Sequence, residues 1–170
     1  SMRMAGDKFD EAIIRYMRRK HNLLIGERTA EEMKINLGSA IPRSEMIVNE
    51  VTGRNLGSGL PKTVTVMSDE MVEALEEPVY AILDSVHSVL ERTPPECAAD
   101  IYDRGITMTG GGSLLYGLDL LLSQHTKVPV YVADDAVSCV ALGTGRALEN
   151  MELLGKSVFD YRRRTFGSGD

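Results

Sequence analysis

The sequence is poor in the residues that metal sites and disulfide frameworks use. It has only two cysteines, Cys97 and Cys139, and three histidines among 170 residues. The cysteines lie far apart without a CxxC spacing, and the histidines are isolated from one another. The pattern therefore indicates neither a disulfide framework nor a zinc site, and it fits a reduced, cytoplasmic setting.

The sequence also lacks a long apolar run and an excess of positive charge. Its apolar runs are too short to span a bilayer, and it shows no signal-peptide pattern. The net charge of −6 argues against a nucleic-acid partner, because binding phosphates requires a basic face. The content of 43% hydrophobic and 26% charged residues is typical of a globular domain or two small subdomains.

Residues 106–118 carry the strongest local signal in the chain. A short β-branched run, Ile-Thr-Met-Thr, is followed by Gly110, Gly111 and Gly112 and then by an apolar pattern of helical spacing. This pattern predicts a strand, a tight turn and a helix with Ser113 as its N-cap. Glycines at such a junction let a ligand approach the backbone, and the N–H groups of the helix start attract polar atoms. The alternative is that the glycines only form the turn.

A second candidate pair lies near the start of the chain. Thr29, followed three residues later by Glu32, predicts a capping box and a helix that begins at Ala30. Glu31 and Lys34 would then share one helical face, where an acceptor and a donor could together hold ligand hydroxyls or ring nitrogens. The alternative is an ordinary surface ion pair.

The remaining pattern predicts a mixed α/β chain. Phe9, Ile13, Tyr16 and Met17 share one face of an amphipathic helix. Residues 46–51 and 62–66 predict a small antiparallel element, because β-branched runs flank a Gly- and Pro-rich turn. Two strands, one before and one after the helix that follows the three glycines, predict a parallel pair.

Several separated stretches, taken together, are similar to one family. The first is Met-Ala-Gly-Asp-Lys-Phe-Asp at residues 4–10, and the others are residues 24–35 and 103–112. Residues 90–96 and 139–145 agree with the same pattern. In this order, from residue 4 to residue 154, the chain resembles the bacterial actin family of MreB and its paralogue Mbl, and the first stretch leans toward Mbl.

The resemblance implies an actin-like, ribonuclease H-like ATPase fold, of which this chain would be most of the second half. Residues 4–80 would form a small inserted α+β subdomain, and residues 81–154 part of the large subdomain. Residues 1–3 would be a cloning remnant or linker, and residues 155–170 a polar tail. The phosphate-binding hairpins and the water-positioning residues of the family are expected before Ser1, so the chain itself would hold no catalytic residue and no metal ligand.

The resemblance also assigns a ligand. In the family, residues 110–112 form an adenosine motif, and the helix carrying Glu31 and Lys34 lines the other side of the adenine and ribose. The implied cofactor is ATP or ADP with magnesium in the full-length protein, and whether the isolated chain binds nucleotide stays open. A shift of one residue in this correspondence leaves three alternates on the same helix, Ala30, Glu32 and Met33.

The implied function is that of a filament-forming, slowly ATP-hydrolysing protein that guides cell-wall synthesis and so maintains rod shape. Its expected partners are other copies of itself and membrane-anchored adaptor proteins at the inner face of the cell membrane. Contact of this chain with the membrane would be indirect. The alternatives are an ATPase of the sugar-kinase or chaperone branch of the same fold, and an isolated protein-interaction module.

Overall fold

The computed structural model describes residues 6–150. The helices are α1 (Gly6–His21), α2 (Glu27–Leu37), α3 (Ser68–Glu91), α4 (Pro95–Arg104), α5 (Leu118–Thr126) and α6 (Cys139–Glu149). The strands are β1 (Leu23–Leu24), β2 (Val48–Asn55), β3 (Pro61–Met67), β4 (Ile106–Met108) and β5 (Val130–Val132). A single-turn 3₁₀ helix covers Gly111–Leu114. The predicted remnant and the predicted polar tail lie outside the described residues.

Helix α1 has the amphipathic face that the sequence predicts. Phe9, Ile13, Tyr16 and Met17 are all buried, and the helix packs against α2 and α3. The hydroxyl group of Tyr16 donates a hydrogen bond to Glu73 Oε2 at 2.9 Å on α3. Burial of this apolar face, rather than helix propensity alone, stabilises a helix of this length in a folded chain.

The antiparallel element is a three-stranded sheet in the order β1-β2-β3. Strands β2 and β3 form the predicted hairpin, in which Val51 pairs with Val64. The Asn55 side chain accepts hydrogen bonds from the N–H groups of Gly57 and Ser58 at 2.8 and 3.2 Å, which stabilises the turn. The short strand β1, which the sequence analysis did not predict, adds to the other edge of β2.

Strands β4 and β5 form the predicted parallel pair, with Ile106 opposite Val130. Helix α5 connects them and packs against β5 and α3. One hydrophobic core contains residues of α1, α2, β2, β3, α3 and α5. The boundary predicted between residues 80 and 81 falls within α3, which runs without interruption from Ser68 to Glu91 and through Pro78. The division into subdomains therefore stays a prediction.

Helices α4 and α6 lie at the margin of this core and contain no buried residue. Pro95 stands at the first turn of α4, where its missing N–H breaks no intrahelical bond. Within residues 6–150, no helix combines the length and the apolar character needed to span a bilayer.

Candidate functional site

A cleft of about 900 Å³ lies between the start of α1, the outer face of α2 and the glycine turn that follows β4. Glu31, Lys34, Gly111 and Gly112 line this one cleft. Its volume lies within the range of small-molecule sites, which is about 300–1,000 Å³. The structure thus brings together four of the six residues that the sequence analysis names as candidates.

The other two candidates do not line this cleft. Gly110 and Ser113 line a second cavity of about 560 Å³, which Gly111 and Gly112 also border. Most of the remaining walls of this cavity are apolar side chains of α3, β4, β5 and α5, among them Val86, Met108 and Leu122. Because this lining offers few polar groups, the larger cleft is the better match for a nucleotide.

The conformation of the glycine turn explains why glycine is required at one position and suits another. Gly110 has φ +85°, a conformation that residues with a side chain rarely adopt, and its N–H donates to Ala136 O at 2.6 Å. A Cβ atom at Gly111 would meet no atom within 4 Å, so Gly111 faces open space. A ligand can therefore approach the backbone closely at Gly111.

The prediction that Ser113 is a helix N-cap is wrong. Ser113 is buried within the 3₁₀ turn, and its hydroxyl group donates to Gly110 O at 2.6 Å. Helix α5 begins only at Leu118, after Gly117 in a left-handed conformation. The hydroxyl group of Ser113 closes the glycine turn and does not cap the helix.

The predicted capping box at Thr29 and Glu32 is also wrong. Helix α2 begins at Glu27, because Gly26 is the extended residue before it and its carbonyl accepts the Ala30 N–H at 3.0 Å. Thr29 is therefore already inside the helix, and Glu32 accepts a hydrogen bond from Arg28 Nε at 3.1 Å. Glu31 and Lys34 nevertheless share the predicted face, since they are three residues apart in one helix.

The alternate residues on α2 lie away from the cleft. Ala30 and Met33 are buried in the core, at 0% and 1% exposure, and Glu32 is on the surface with Arg28. They would reach a ligand in the cleft only if α2 turned about its axis.

Asp10 is a cleft residue that the sequence analysis quoted within a motif but did not name as a candidate. Lys34 Nζ donates a hydrogen bond to Asp10 Oδ2 at 3.0 Å and lies 2.9 Å from Oδ1. The side chains of Lys34 and Asp10 are only 18% and 14% exposed. A signal was present in the sequence: Asp10 lies one residue after Phe9 and three before Ile13, at the border of the buried face of α1, where a carboxylate needs a partner.

This arrangement can bind a polar ligand without metal ligands of its own. Lys34 supplies an ammonium donor, Glu31 supplies an exposed carboxylate acceptor, and the turn at Gly111 offers an approach to the backbone. Such a set suits the hydroxyl groups and ring nitrogens of a nucleoside. Within residues 6–150, no group of three or more acidic, histidine or cysteine side chains could hold a metal ion.

The two sides of the cleft are joined beyond the C-terminal end of α2. The Ala40 N–H donates to Tyr116 O at 2.8 Å, and the Arg43 guanidinium lies 4.2 Å from the centre of the Tyr116 ring. Each segment also presents a glycine to a side chain of the other. A Cβ atom at Gly38 would lie 2.9 Å from Leu115 Cδ1, and one at Gly117 would collide with Ile41.

Comparisons with known proteins agree with this fold. Residues 1–156 match the family described as "MreB/Mbl protein". The chain is 51% identical over 156 residues to the cell shape-determining protein Mbl of Bacillus cereus. This match covers 92% of this chain and 47% of that protein. It is 50% identical over 159 residues to the cell shape-determining protein MreB of Escherichia coli strain K12. This match covers 94% of this chain and 46% of that protein.

Solved structures of MreB5 of Spiroplasma citri are similar over a comparable share of their length. The crystal structure bound to ADP has a TM-score of 0.84 at 35% identity and covers 88% of this chain and 46% of that chain. The crystal structure bound to AMPPNP has a TM-score of 0.85 at 34% identity, and the match covers 92% of this chain and 47% of that chain. The chain spans a little under half the length of these relatives.

Proposed function

The chain belongs to the MreB/Mbl family and has part of the actin-like ATPase fold, and from this premise we propose that it is the nucleotide-binding second half of a cell-shape protein. The complete protein holds ATP or ADP with magnesium between two halves, polymerises, and guides cell-wall synthesis so that the cell keeps its rod shape. Identity of 50–51% across more than nine tenths of the chain, to proteins described as cell shape-determining, supports this proposal.

The observation that carries the proposal is the cleft in which Glu31 and Lys34 face Gly111 and Gly112. Glu31 accepts from ribose hydroxyl groups, Lys34 donates to the ribose or to a ring nitrogen, and the glycine turn leaves room for the adenosine. The MreB5 structures bound to ADP and AMPPNP, at 34–35% identity, support the ligand class.

Membership of the family supports a proposal for the partners and the location. The complete protein assembles with copies of itself and with membrane-anchored adaptors at the cytoplasmic face of the cell membrane, and this half contacts the membrane only through them. The net charge of −6 supports the further proposal that nucleic acid is not a partner. Slow ATP hydrolysis belongs to the complete protein, in which the other half supplies the phosphate-binding and water-positioning groups.

Sedimentation tests polymerisation. The complete protein that contains this chain is centrifuged at high speed with ATP and magnesium, with ADP and magnesium, and without nucleotide. We expect a pellet that depends on nucleotide, because the bound nucleotide biases the state that forms filament contacts. Failure to pellet under every condition would exclude the cytoskeletal function.

Substitution of Gly111 tests the cleft. Gly111 has no positive φ and no atom within 4 Å of an added Cβ, so Gly111→Val should preserve the fold while filling the cleft. We expect the affinity for ATP to fall at least about tenfold, because a branched side chain occupies the position of the adenosine. The affinity is measured by equilibrium titration of the complete protein with a fluorescent ATP analogue.

Gly145→Val is the matched control for this substitution. Gly145 in α6 also has no atom within 4 Å of an added Cβ, and it does not line the cleft. Its ATP affinity should stay within about twofold of the original. Equal ATP affinities of Gly111→Val and Gly145→Val would contradict the proposal that the cleft is the nucleotide-binding site.

A further inference from the structure

The ammonium group of Lys34 is held by Asp10 before any ligand binds. It lies 2.9 Å from Asp10 Oδ1 and 3.0 Å from Oδ2, and the hydrogen bond goes to Oδ2. Asp10 Oδ1 is buried and has no hydrogen-bond partner within residues 6–150, so no other group shares this carboxylate there. A Cβ atom at Gly6 would lie only 3.1 Å from Lys34 Nζ, so the glycine at the start of α1 leaves room for the ammonium group beside it.

Lys34 is the better-buried of the two cations in a cleft that is mostly acidic. The ionisable residues lining the cleft within residues 6–150 are Asp7, Asp10, Glu27, Glu31, Arg28 and Lys34. Four carboxylates therefore accompany two cations. The Arg28 side chain is 92% exposed and pairs with Glu32 outside the cleft, whereas the Lys34 side chain is 18% exposed.

An unpaired ammonium in this position would attract the phosphates of a nucleotide. Phosphate carries the largest charge on the ligand, and a partly buried cation attracts an anion more strongly than an exposed one. The Asp10 carboxylate cancels this attraction but leaves the ammonium N–H groups that do not face Asp10 able to donate. A paired ammonium of this kind favours neutral acceptors such as hydroxyl groups and ring nitrogens.

We propose that Asp10 is a positioning residue that fixes the orientation of the nucleotide. By neutralising and holding Lys34, it makes this wall of the cleft select the uncharged nucleoside end and reject the phosphates. This inference rests on the proposed nucleotide function and adds to it the residue that distinguishes the two ends of the ligand. Asp10 acts through Lys34, since its Oδ2 accepts the hydrogen bond from the ammonium group and its Oδ1 is buried.

The test compares two probes that represent the two ends of the ligand, adenosine and inorganic pyrophosphate. Each is titrated without magnesium into the full 170-residue chain, and binding is followed by NMR chemical-shift changes at Gly111 and Lys34. We expect the original chain to prefer adenosine. In Asp10→Asn, which keeps the shape and removes the charge, we expect adenosine to bind about fivefold more weakly and pyrophosphate about fivefold more tightly.

The opposite signs separate this role from a structural one. A general loosening of the cleft would weaken both probes, whereas a freed cation strengthens only the anion, and added salt should reverse the gain. The double variant Asp10→Asn with Lys34→Gln is the matched control and leaves no unpaired buried charge. It should show no gain for pyrophosphate, and it serves as the folded comparison if Asp10→Asn alone does not fold.

Each outcome decides between the two proposals. If neither the original chain nor the complete protein that contains it binds adenosine at the cleft, the proposed nucleotide site is overturned, and this inference with it. If only the complete protein binds adenosine, the same variants are compared in the complete protein. If the original chain binds adenosine but both affinities change in the same direction in Asp10→Asn, the nucleotide site stands and the orienting role of Asp10 is wrong. A gain for pyrophosphate in the double variant would also contradict that role, because no cation then remains at position 34.

Discussion

The helices of this chain differ sharply in how much of their apolar surface they bury. Helix α1 buries five residues and α3 buries seven, whereas α4 and α6 bury none. In α6 the side chains of Val140, Leu142 and Leu148 are 68%, 54% and 63% exposed. Because tertiary packing supplies most of the stability of a short helix, α1 and α3 should resist local unfolding far better than α6.

The largest expected difference is between two leucines in these helices. Leu75 in α3 is fully buried, so Leu75→Ala should lower the free energy of unfolding by about 3 kcal/mol through lost burial and a remaining cavity. Leu142→Ala in α6 removes the same atoms from a half-exposed site and should cost less than about 0.5 kcal/mol. Urea denaturation measures both, and similar losses would show that α6 is packed as tightly as α3.

A pair of glycines should show the next largest difference. Gly117 has φ +74° and no room for a Cβ atom beside Ile41, so Gly117→Ala should destabilise the chain by about 2 kcal/mol. Gly143 lies inside α6 with nothing within 4 Å of an added Cβ, so Gly143→Ala should stabilise that helix by up to about 1 kcal/mol. Thermal unfolding of both variants measures the sign of each stability change. A lower stability of Gly143→Ala would contradict the open space beside position 143.

The smallest effect concerns two tyrosines and depends on pH. Tyr16 is buried and donates to Glu73, whereas Tyr102 in α4 is 64% exposed. Tyr16→Phe should lower the free energy of unfolding by about 1 kcal/mol at neutral pH, because the hydrogen bond to a carboxylate is lost. Tyr102→Phe should change it by less than about 0.3 kcal/mol.

The pH dependence isolates the contribution of Tyr16. Burial raises the pKa of the Tyr16 hydroxyl group, and the hydrogen bond to Glu73 acts in the same direction. Because the pKa is higher in the folded than in the unfolded state, this stabilisation is complete below about pH 10 and is lost as the pH rises further. The difference in the free energy of unfolding between the original chain and Tyr16→Phe should therefore shrink above about pH 10. A constant difference up to about pH 11 would show that the raised pKa of Tyr16 does not contribute to stability.

Much of the fold could be predicted from local pattern. The apolar spacing of α1, the antiparallel pair of β2 and β3, and the parallel pair of β4 and β5 are all confirmed, since each depends on a pattern within one stretch of the sequence. The two wrong predictions concern side-chain caps. Helix α2 begins three residues earlier than predicted, and at Ser113 a 3₁₀ turn comes first, because backbone conformation at Gly26 and Gly110 decides where the helical bonds start.

The candidate site required information that no single segment contains. Residues 31 and 111 are distant in sequence, and only the family resemblance placed them on opposite sides of one ligand before the structure did. Asp10 was missed because its partner Lys34 lies 24 residues away on another helix. A buried ion pair between two helices depends on how they pack, and helical periodicity alone does not determine that packing.

The reciprocal glycine contacts between the two sides of the cleft also bear on how the sequence can change over time. Gly38 receives Leu115, and Gly117 receives Ile41, so each segment contains one glycine and one apolar side chain that fit together. A smaller residue at position 115 would not make room for a side chain at position 38, because the added Cβ atom would also collide with the backbone carbonyl oxygen of Lys34. Position 117 is limited further by its left-handed backbone. Homologues should therefore keep glycine at positions 38 and 117 and an apolar residue of similar size at positions 41 and 115, while neighbouring surface positions vary independently.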